Sequence, residues 1–162
     1  MKIAIFLHGT TIMQKGAEGL SREERAKQVV DNEVSVHDYA NYIPVDSAVD
    51  KLNKWINQGA EIVYLSSHES EGDVAKDKTV LNKYNFPVGP IYFRRSGETY
   101  AHLVENVLPD ILIEDDCESI GGEIEMCYPN IKPEIKEKIK HIIVKEFQGI
   151  DHLPDNLDEL DS

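Results

Sequence analysis

Ile3-Ala4-Ile5-Phe6-Leu7-His8-Gly9-Thr10-Thr11 opens the chain with an apolar run that gives way at once to a polar turn. A short apolar run rich in β-branched residues is typical of a strand that is buried on both faces in the middle of a parallel sheet. Such a strand delivers its C-terminal polar residues to the edge of the sheet where α/β proteins bind ligands. The first candidates for a functional site are therefore His8, Gly9, Thr10 and Thr11.

Three more apolar runs along the chain end in polar residues in the same way. They are residues 62–65, followed by Ser66, Ser67 and His68; residues 91–93, followed by Arg94 and Arg95; and residues 111–113, followed by Glu114, Asp115 and Asp116. Helix-like segments separate these runs, which predicts βαβ units and a mostly parallel sheet. Because the carboxyl ends of parallel strands meet at one edge, we expect these polar residues to converge.

Capping and amphipathic patterns predict the helices between the strands. Residues 21–24 form a capping box, which predicts a helix over about 22–31. A second helix is expected to begin at Asp46, which would cap it, and to end before Gly59. Its apolar face would contain Val49, Leu52, Trp55 and Ile56. Further segments are predicted as helices near 72–84, 99–107 and 133–139, and as an edge strand at 142–144.

Composition and charge exclude several classes of partner. With 41% hydrophobic and 29% charged residues, the chain falls in the soluble globular range. A net charge of −13 would repel nucleic acids and anionic membranes, so we expect neither as a partner. The apolar stretches are too short for a membrane span or a signal peptide. The cysteines, Cys117 and Cys127, make neither a disulfide framework nor a zinc spacing, which favours a cytoplasmic location.

The length of 162 residues allows one domain with a substantial core, and it is too short for two ordinary domains. We expect a single α/β domain over residues 1–148, with an insertion at about 11–44 after the first strand. Residues 149–162 contain five acidic residues and no Lys or Arg, which predicts a loosely held acidic tail. The oligomeric state is left open by the sequence.

In order and spacing, the strand-end motifs resemble those of haloacid-dehalogenase-like (HAD-like) phosphohydrolases over roughly residues 1–145. The first motif of that family is an apolar strand followed by D-x-D-G-T. Gly9 and Thr10 match the end of this motif, whereas Phe6 and His8 stand where the family has its two Asp residues. The resemblance is therefore to a divergent member that lacks the nucleophilic Asp.

The other motifs of the family are matched to different degrees. Its second motif is an apolar strand that ends in Ser or Thr, which Ser66 matches, and its fourth is an apolar strand that ends in acidic residues, which residues 114–116 match. The third motif supplies a Lys or Arg and has no clear counterpart. Arg94 and Arg95 are the nearest cations at a strand end, and Lys83 is less favoured.

The resemblance implies a three-layer, Rossmann-like α/β fold with an open, mostly parallel sheet, and phosphate chemistry at the carboxyl edge of that sheet. In the family, the first Asp attacks phosphorus and binds Mg²⁺, and the second protonates the leaving oxygen. Phe6 can do neither, so an acyl-phosphate intermediate at this position is chemically impossible. His8 remains available as a general acid, a general base or a phosphoryl acceptor, since histidine can exchange protons near neutral pH.

A divalent cation is expected beside the fourth apolar run. Asp115 and Asp116 repel each other at a buried strand end unless a positive charge lies near them. Oxygen ligands from Glu114, Asp115 and Asp116 favour Mg²⁺, weakly held because position 6 offers no oxygen. Alternatively, His8 and His68 with Asp115 or Asp116 could ligate Zn²⁺ or Mn²⁺, which would activate a water molecule.

The sequence leaves three functions open. The first is a hydrolase or phosphotransferase that acts on a small phosphorylated metabolite, with His8, Asp115 and Asp116 as catalytic residues. Its phosphate-binding residues would be Gly9, Thr10, Thr11, Ser66, Ser67, His68, Arg94 and Arg95. The second is a catalytically inactive HAD-like domain that binds a phosphorylated ligand or a protein partner. The third is a metal-dependent hydrolase of other substrates.

Overall fold

A computed structural model describes all 162 residues of the chain. Strands and helices alternate along it, as the sequence predicts. The strands are β1 (Lys2–Phe6), β2 (Ile12–Met13), β3 (Ile43–Pro44), β4 (Glu61–Ser66), β5 (Ile91–Phe93), β6 (Ile111–Asp115) and β7 (Lys140–Val144). The helices are α1 (Arg22–Val30), α2 (Ala48–Asn57), α3 (Glu71–Lys83), α4 (Tyr100–Val107), α5 (Pro133–Lys136) and α6 (Leu157–Asp161). None of them has both the length and the apolar composition needed to cross a membrane.

Five of the strands form one sheet in the order β5-β4-β1-β6-β7, and all four pairings are parallel. The first apolar run of the sequence is therefore the central strand, and β7 is the expected edge strand. β2 and β3 pair separately, antiparallel to each other, within the insertion that follows β1. This arrangement confirms the α/β fold class with a parallel, Rossmann-like sheet.

Alternate residues of β1 point to opposite faces of the sheet, and both faces are covered. Ile3 and Ile5 belong to a core shared with α2, α3 and α6, whereas Ala4 packs in a second core with α4. All three side chains are 0% exposed. The result is a three-layer molecule in which the central strand is apolar between Lys2 at its start and the polar turn that follows Phe6.

The predicted N-terminal cap is confirmed for α1 and is wrong for α2. At the start of α1, Ser21 and Glu24 form the predicted capping box. Asp46 does not cap α2, because its carboxylate pairs with Arg25 at 3.0 Å, and Ser47 occupies the capping position without a side-chain bond. The helix predicted over 133–139 is also shorter, since the chain turns after Lys136 to enter β7.

The expectation that residues 149–162 are loosely held is wrong. Ile150, Leu157 and Leu160 are almost fully buried in the same core as α2 and α3. The indole Nε1 of Trp55 donates a hydrogen bond to the carbonyl of Pro154 at 2.9 Å. The acidic side chains of this segment lie on its outer side, and its apolar residues complete the core.

We expect Leu160→Ala to lower the free energy of unfolding by about 2–4 kcal/mol, since it removes a buried side chain and leaves a cavity. Asp161→Ala, at the exposed neighbouring position, is the matched control and should change stability by less than about 0.5 kcal/mol. Urea unfolding of both variants measures the difference. Equal stabilities would mean that the segment is not part of the cooperative core.

Candidate active site

A cavity of about 290 Å³ lies at the carboxyl edge of the sheet. Six residues predicted for the site line it, namely His8, Gly9, Ser67, Arg94, Glu114 and Asp115. The parallel pairing of β1 with β4 and β6 brings these positions together from distant parts of the chain. A larger cavity of about 440 Å³, between α3 and β5, contains none of the predicted site residues.

The turn after β1 is held by its two threonines. The Thr10 hydroxyl donates to Asp115 Oδ2 at 2.8 Å, and the Thr11 hydroxyl donates to the carbonyl of Phe6 at 3.1 Å. Gly9 has a φ of +80°, and a Cβ there would lie 3.1 Å from Asp115 Oδ2. Both threonine side chains are fully buried, so the structure gives them a role in the turn, and Gly9 allows the acidic residues to approach closely.

His8 is fixed between two side chains from other elements. Its Nε2 lies 2.8 Å from Oδ1 of Asp77, a fully buried residue of α3, and its Nδ1 lies 2.6 Å from the Ser67 hydroxyl. Ser66 donates its own hydroxyl to the second carboxylate oxygen of Asp77 at 2.6 Å. Ser66 is therefore occupied in holding Asp77 and does not line the cavity, whereas Ser67 does.

His68 lies beside His8, with 4.4 Å between the ring centroids. Its Nε2 is buried, has no hydrogen-bond partner and stands 3.6 Å from Asp77 Oδ1. Burial lowers the pKa of His68, and the neighbouring His8 lowers it further. The ligating atoms of His8, His68 and Asp77 all lie within 4.8 Å of one another. The acid that joins the two histidines is thus Asp77, where the sequence suggested Asp115 or Asp116.

Tyrosines of the insertion pack over the two histidines. The Tyr42 ring meets His8 edge-on at 5.6 Å between centroids, and Tyr39 lies 4.3 Å from His68. Tyr42 also lines the cavity. The insertion therefore forms one wall of the site.

A second group of potential ligands consists of Asp115, Asp116 and Glu146, whose carboxylate oxygens lie within 4.8 Å of one another. None of the three has an ion-pair partner, and the nearby Arg22 pairs with Glu118 at 2.7 Å. Burial raises the pKa of Asp115 to about 6, with a smaller contribution from the charge of Glu146, and burial also raises the pKa of Glu146. This uncompensated negative charge fits a divalent cation, and oxygen-only donors are the set that Mg²⁺ prefers.

Glu114 does not join this group, although the sequence placed it with Asp115 and Asp116. Its carboxylate accepts hydrogen bonds from the backbone amides of Cys127 at 2.7 Å and Tyr128 at 2.9 Å. These bonds anchor the loop between β6 and β7. The position that completes the acidic group is Glu146 instead.

The two arginines after β5 have different surroundings. Arg94 lines the cavity, with its guanidinium carbon 4.0 Å from the Tyr100 ring centroid and its Nη2 2.9 Å from Glu69. Its Nε is buried and has no hydrogen-bond partner. Arg95 is exposed and lies against Phe93, outside the cavity. Of the two, only Arg94 can contact a ligand in this cavity.

Phe6 stands at the end of β1 and lines the same cavity. Its ring meets Tyr100 edge-on, with 5.3 Å between centroids and an interplanar angle of 83°. An aromatic pair of this kind is a packing contact. The ring contributes shape to the cavity and no hydrogen-bonding or proton-transferring group.

Asp77 and Glu146 are the residues of the site that sequence reasoning missed. Asp77 stands three and four residues before Val80 and Leu81, which are both buried, so it shares the inner face of α3. The sequence signal that could have identified Asp77 is a carboxylate at a position of the helix where an apolar residue is expected. Glu146 follows the end of β7 by two residues and could have been found by the strand-end rule applied to the other strands.

We expect Asp115→Asn to stabilise the protein at pH 8 by about 1–3 kcal/mol in the presence of a chelator. The folded-state pKa of Asp115 is raised from 3.8 to about 6, so the wild type suffers no penalty below pH 3.8 and loses stability as the pH rises through about 6. The advantage of the variant should therefore disappear at low pH. Urea unfolding at both ends of this range measures it.

Glu123→Gln is the charge-matched control for this substitution, because Glu123 is exposed and belongs to neither group of ligands. It should show no comparable gain at pH 8. A similar gain in both variants would indicate a general effect of net charge and would contradict a specific penalty at Asp115.

No protein-family model and no curated protein matches this chain. Among solved structures, a class C acid phosphatase from Bacillus anthracis with tungstate bound has a TM-score of 0.57 and 14% identity, over 91% of this chain and 68% of that one. A chain of the Pnkp1/Rnl/Hen1 RNA repair complex has a TM-score of 0.54 and 13% identity, over 89% of this chain. This chain spans 43% of the length of that repair-complex chain. At such identities the likeness concerns the fold alone, which is an α/β arrangement shared with the acid phosphatase.

Proposed function

We propose that this protein is a phosphohydrolase or phosphotransferase that acts on a small phosphorylated metabolite, with His8 as the side chain that transfers the proton. One observation carries the proposal: the His8 imidazole is fixed between the Asp77 carboxylate and the Ser67 hydroxyl beside a cavity. Histidine held in this way can serve as a general acid or base. The shared fold of an acid phosphatase supports phosphate as the reacting group.

Binding of an anionic substrate requires a local positive charge, because the chain carries a net charge of −13. Arg94 is the one Lys or Arg that lines the cavity, and its buried Nε has no partner. It would hold phosphoryl oxygens, for which the guanidinium geometry is well suited. A cavity volume of about 290 Å³ favours a small metabolite over a polymer.

Asp115, Asp116 and Glu146 would hold the divalent cation, with Mg²⁺ first because all donors are carboxylates. Such an ion supplies charge neutralisation to a phosphoryl group. Zn²⁺ or Mn²⁺ would instead suit the group of His8, His68 and Asp77, which contains two nitrogen donors. Both cysteines are free thiols, which supports a reducing, cytoplasmic location.

The second candidate function is a catalytically inactive domain that binds a phosphorylated ligand. The observation that favours it is the apolar contact of Phe6 with Tyr100, at the position where the resemblance to HAD-like enzymes expects the nucleophile. In that case Arg94 would still bind the ligand, and no bond would be broken. Release of phosphate distinguishes the two functions, because only the first one breaks a bond of the ligand.

We expect phosphate release from at least one member of a panel of phosphorylated metabolites, tested separately with Mg²⁺, Mn²⁺ and Zn²⁺. His8→Ala should reduce turnover by about 100-fold or more, the contribution typical of a general acid or base. Phe6→Ala should keep part of the turnover, because the ring has no group that can transfer a proton. The measurement is inorganic phosphate released over time.

His152→Ala is the matched control for His8→Ala, since His152 is exposed and lies outside both groups of ligands. It should leave turnover unchanged. Turnover that survives His8→Ala would contradict the role of His8. Complete inactivity on the panel, together with ligand binding, would favour the second candidate function.

Ligand binding is predicted to raise the melting temperature in both candidate functions. A phosphorylated ligand at 100 times its Kd adds about 2.7 kcal/mol to the free energy of unfolding. Arg94→Ala should abolish the shift, whereas Arg95→Ala should retain it, because Arg95 lies outside the cavity. A thermal-shift series with inorganic phosphate and the same panel measures this. Equal shifts in the two variants would exclude Arg94 as the phosphate ligand.

A further inference from the structure

Three side chains from three elements form a chain of contacts that runs from the core to the cavity. Asp77, on α3, is 0% exposed; the His8 side chain, after β1, is 15% exposed; and Ser67, after β4, is exposed. The joining distances are 2.8 Å from Asp77 Oδ1 to His8 Nε2 and 2.6 Å from His8 Nδ1 to the Ser67 hydroxyl. Ser67, at the end of this series of contacts, lines the cavity.

A carboxylate accepts hydrogen bonds and cannot donate them, which favours one tautomer of His8. The second oxygen of Asp77 already accepts from the Ser66 hydroxyl, and its first oxygen lies 2.8 Å from His8 Nε2. Because a carboxylate can only accept, the hydrogen of this contact belongs on Nε2. In the neutral imidazole, a hydrogen on Nε2 leaves Nδ1 with its lone pair. The Ser67 hydroxyl therefore donates to Nδ1, and its oxygen is free to approach a ligand.

We propose that Ser67 is the nucleophile of this site, with His8 as its general base and Asp77 as the positioning residue, in place of the side chain that position 6 lacks. A serine is a weak nucleophile until an adjacent base removes its proton, and this base is in turn oriented by a carboxylate. Ser67 meets these conditions, and Ser66 does not, because its hydroxyl is committed to the buried Asp77.

Two neighbouring groups complete the arrangement. Arg94 lines the same cavity and would face the negative charge that develops on the oxygens of an attacked phosphoryl group. The hydroxyl of Tyr100 donates to the backbone carbonyl of Ser67 at 3.2 Å, which holds the residue at the cavity wall. Nucleophile, base and cation thus come from the ends of three neighbouring parallel strands.

The substrate of this step is a phosphate monoester, and for that substrate the inference rests on the proposed function. A bond forms between Ser67 Oγ and phosphorus while the bond from phosphorus to the leaving oxygen breaks. The Ser67 proton passes to His8 Nδ1 and then to the leaving oxygen, and Asp77 stabilises the imidazolium between these transfers. Water then attacks phosphorus, His8 takes a proton from it, and Ser67 Oγ leaves with that proton.

A small dialkyl fluorophosphate tests the nucleophile without a known substrate, because it reacts with activated serines by loss of fluoride. We expect the wild-type protein to form a single adduct on Ser67, located by peptide mass mapping. Ser67→Ala should abolish the adduct, and His8→Ala and Asp77→Asn should slow its formation by about tenfold or more. Ser96→Ala, at an exposed serine that does not line the cavity, should react like the wild type.

The absence of an adduct on Ser67 in the wild-type protein would overturn the proposal, whatever the folding of the variants. An adduct that forms equally fast in correctly folded His8→Ala would overturn it as well. Phosphate release without labelling of Ser67 would leave the proposed function standing and reject this nucleophile. Labelling of Ser67 without phosphate release from any metabolite would support the nucleophile and reject the phosphohydrolase.

Discussion

Parallel hydrogen bonding of β1 to β4 on one side and to β6 on the other is the constraint on which the site depends. The buried run of β1 lies between Lys2 and His8, so a shift of register along the neighbouring strands would draw one of these polar residues into the core. The pairing therefore fixes the level at which each strand ends. Ser67 and Asp115 reach the same cavity as His8 for this reason.

The strands and their polar ends could be predicted from the sequence because an apolar run and the turn that ends it are local features. The partners of those ends are not local. Asp77 is separated from His8 by 69 positions and lies in a helix with many solvated charges, so its burial depends on tertiary packing. The burial of the C-terminal segment could not be predicted for the same reason, since Leu157 and Leu160 are buried by residues that are distant in the sequence. Charge alone suggested a solvated tail.

Each of the two missed acids completes a group to which β1 contributes no carboxylate. Glu146 joins Asp115 and Asp116, and Asp77 joins His8 and His68. Phe6 itself supplies only a packing surface against Tyr100. The site is thus built from donors on the neighbouring strands and on α3, and the central strand contributes its turn, through Gly9, and one imidazole. Phe6 offers no oxygen, yet this edge of the sheet still holds two groups of potential ligands.

The full burial of Asp77 affects which substitutions the protein can tolerate. A carboxyl group at 0% exposure that loses a hydrogen-bond partner costs about 1–3 kcal/mol, which is a sizeable part of the stability of an ordinary domain. Replacement of His8 alone would leave that charge without its imidazole, and replacement of Asp77 alone would leave His8 without its orientation. The two positions are therefore coupled, and a substitution at one changes the cost of a substitution at the other.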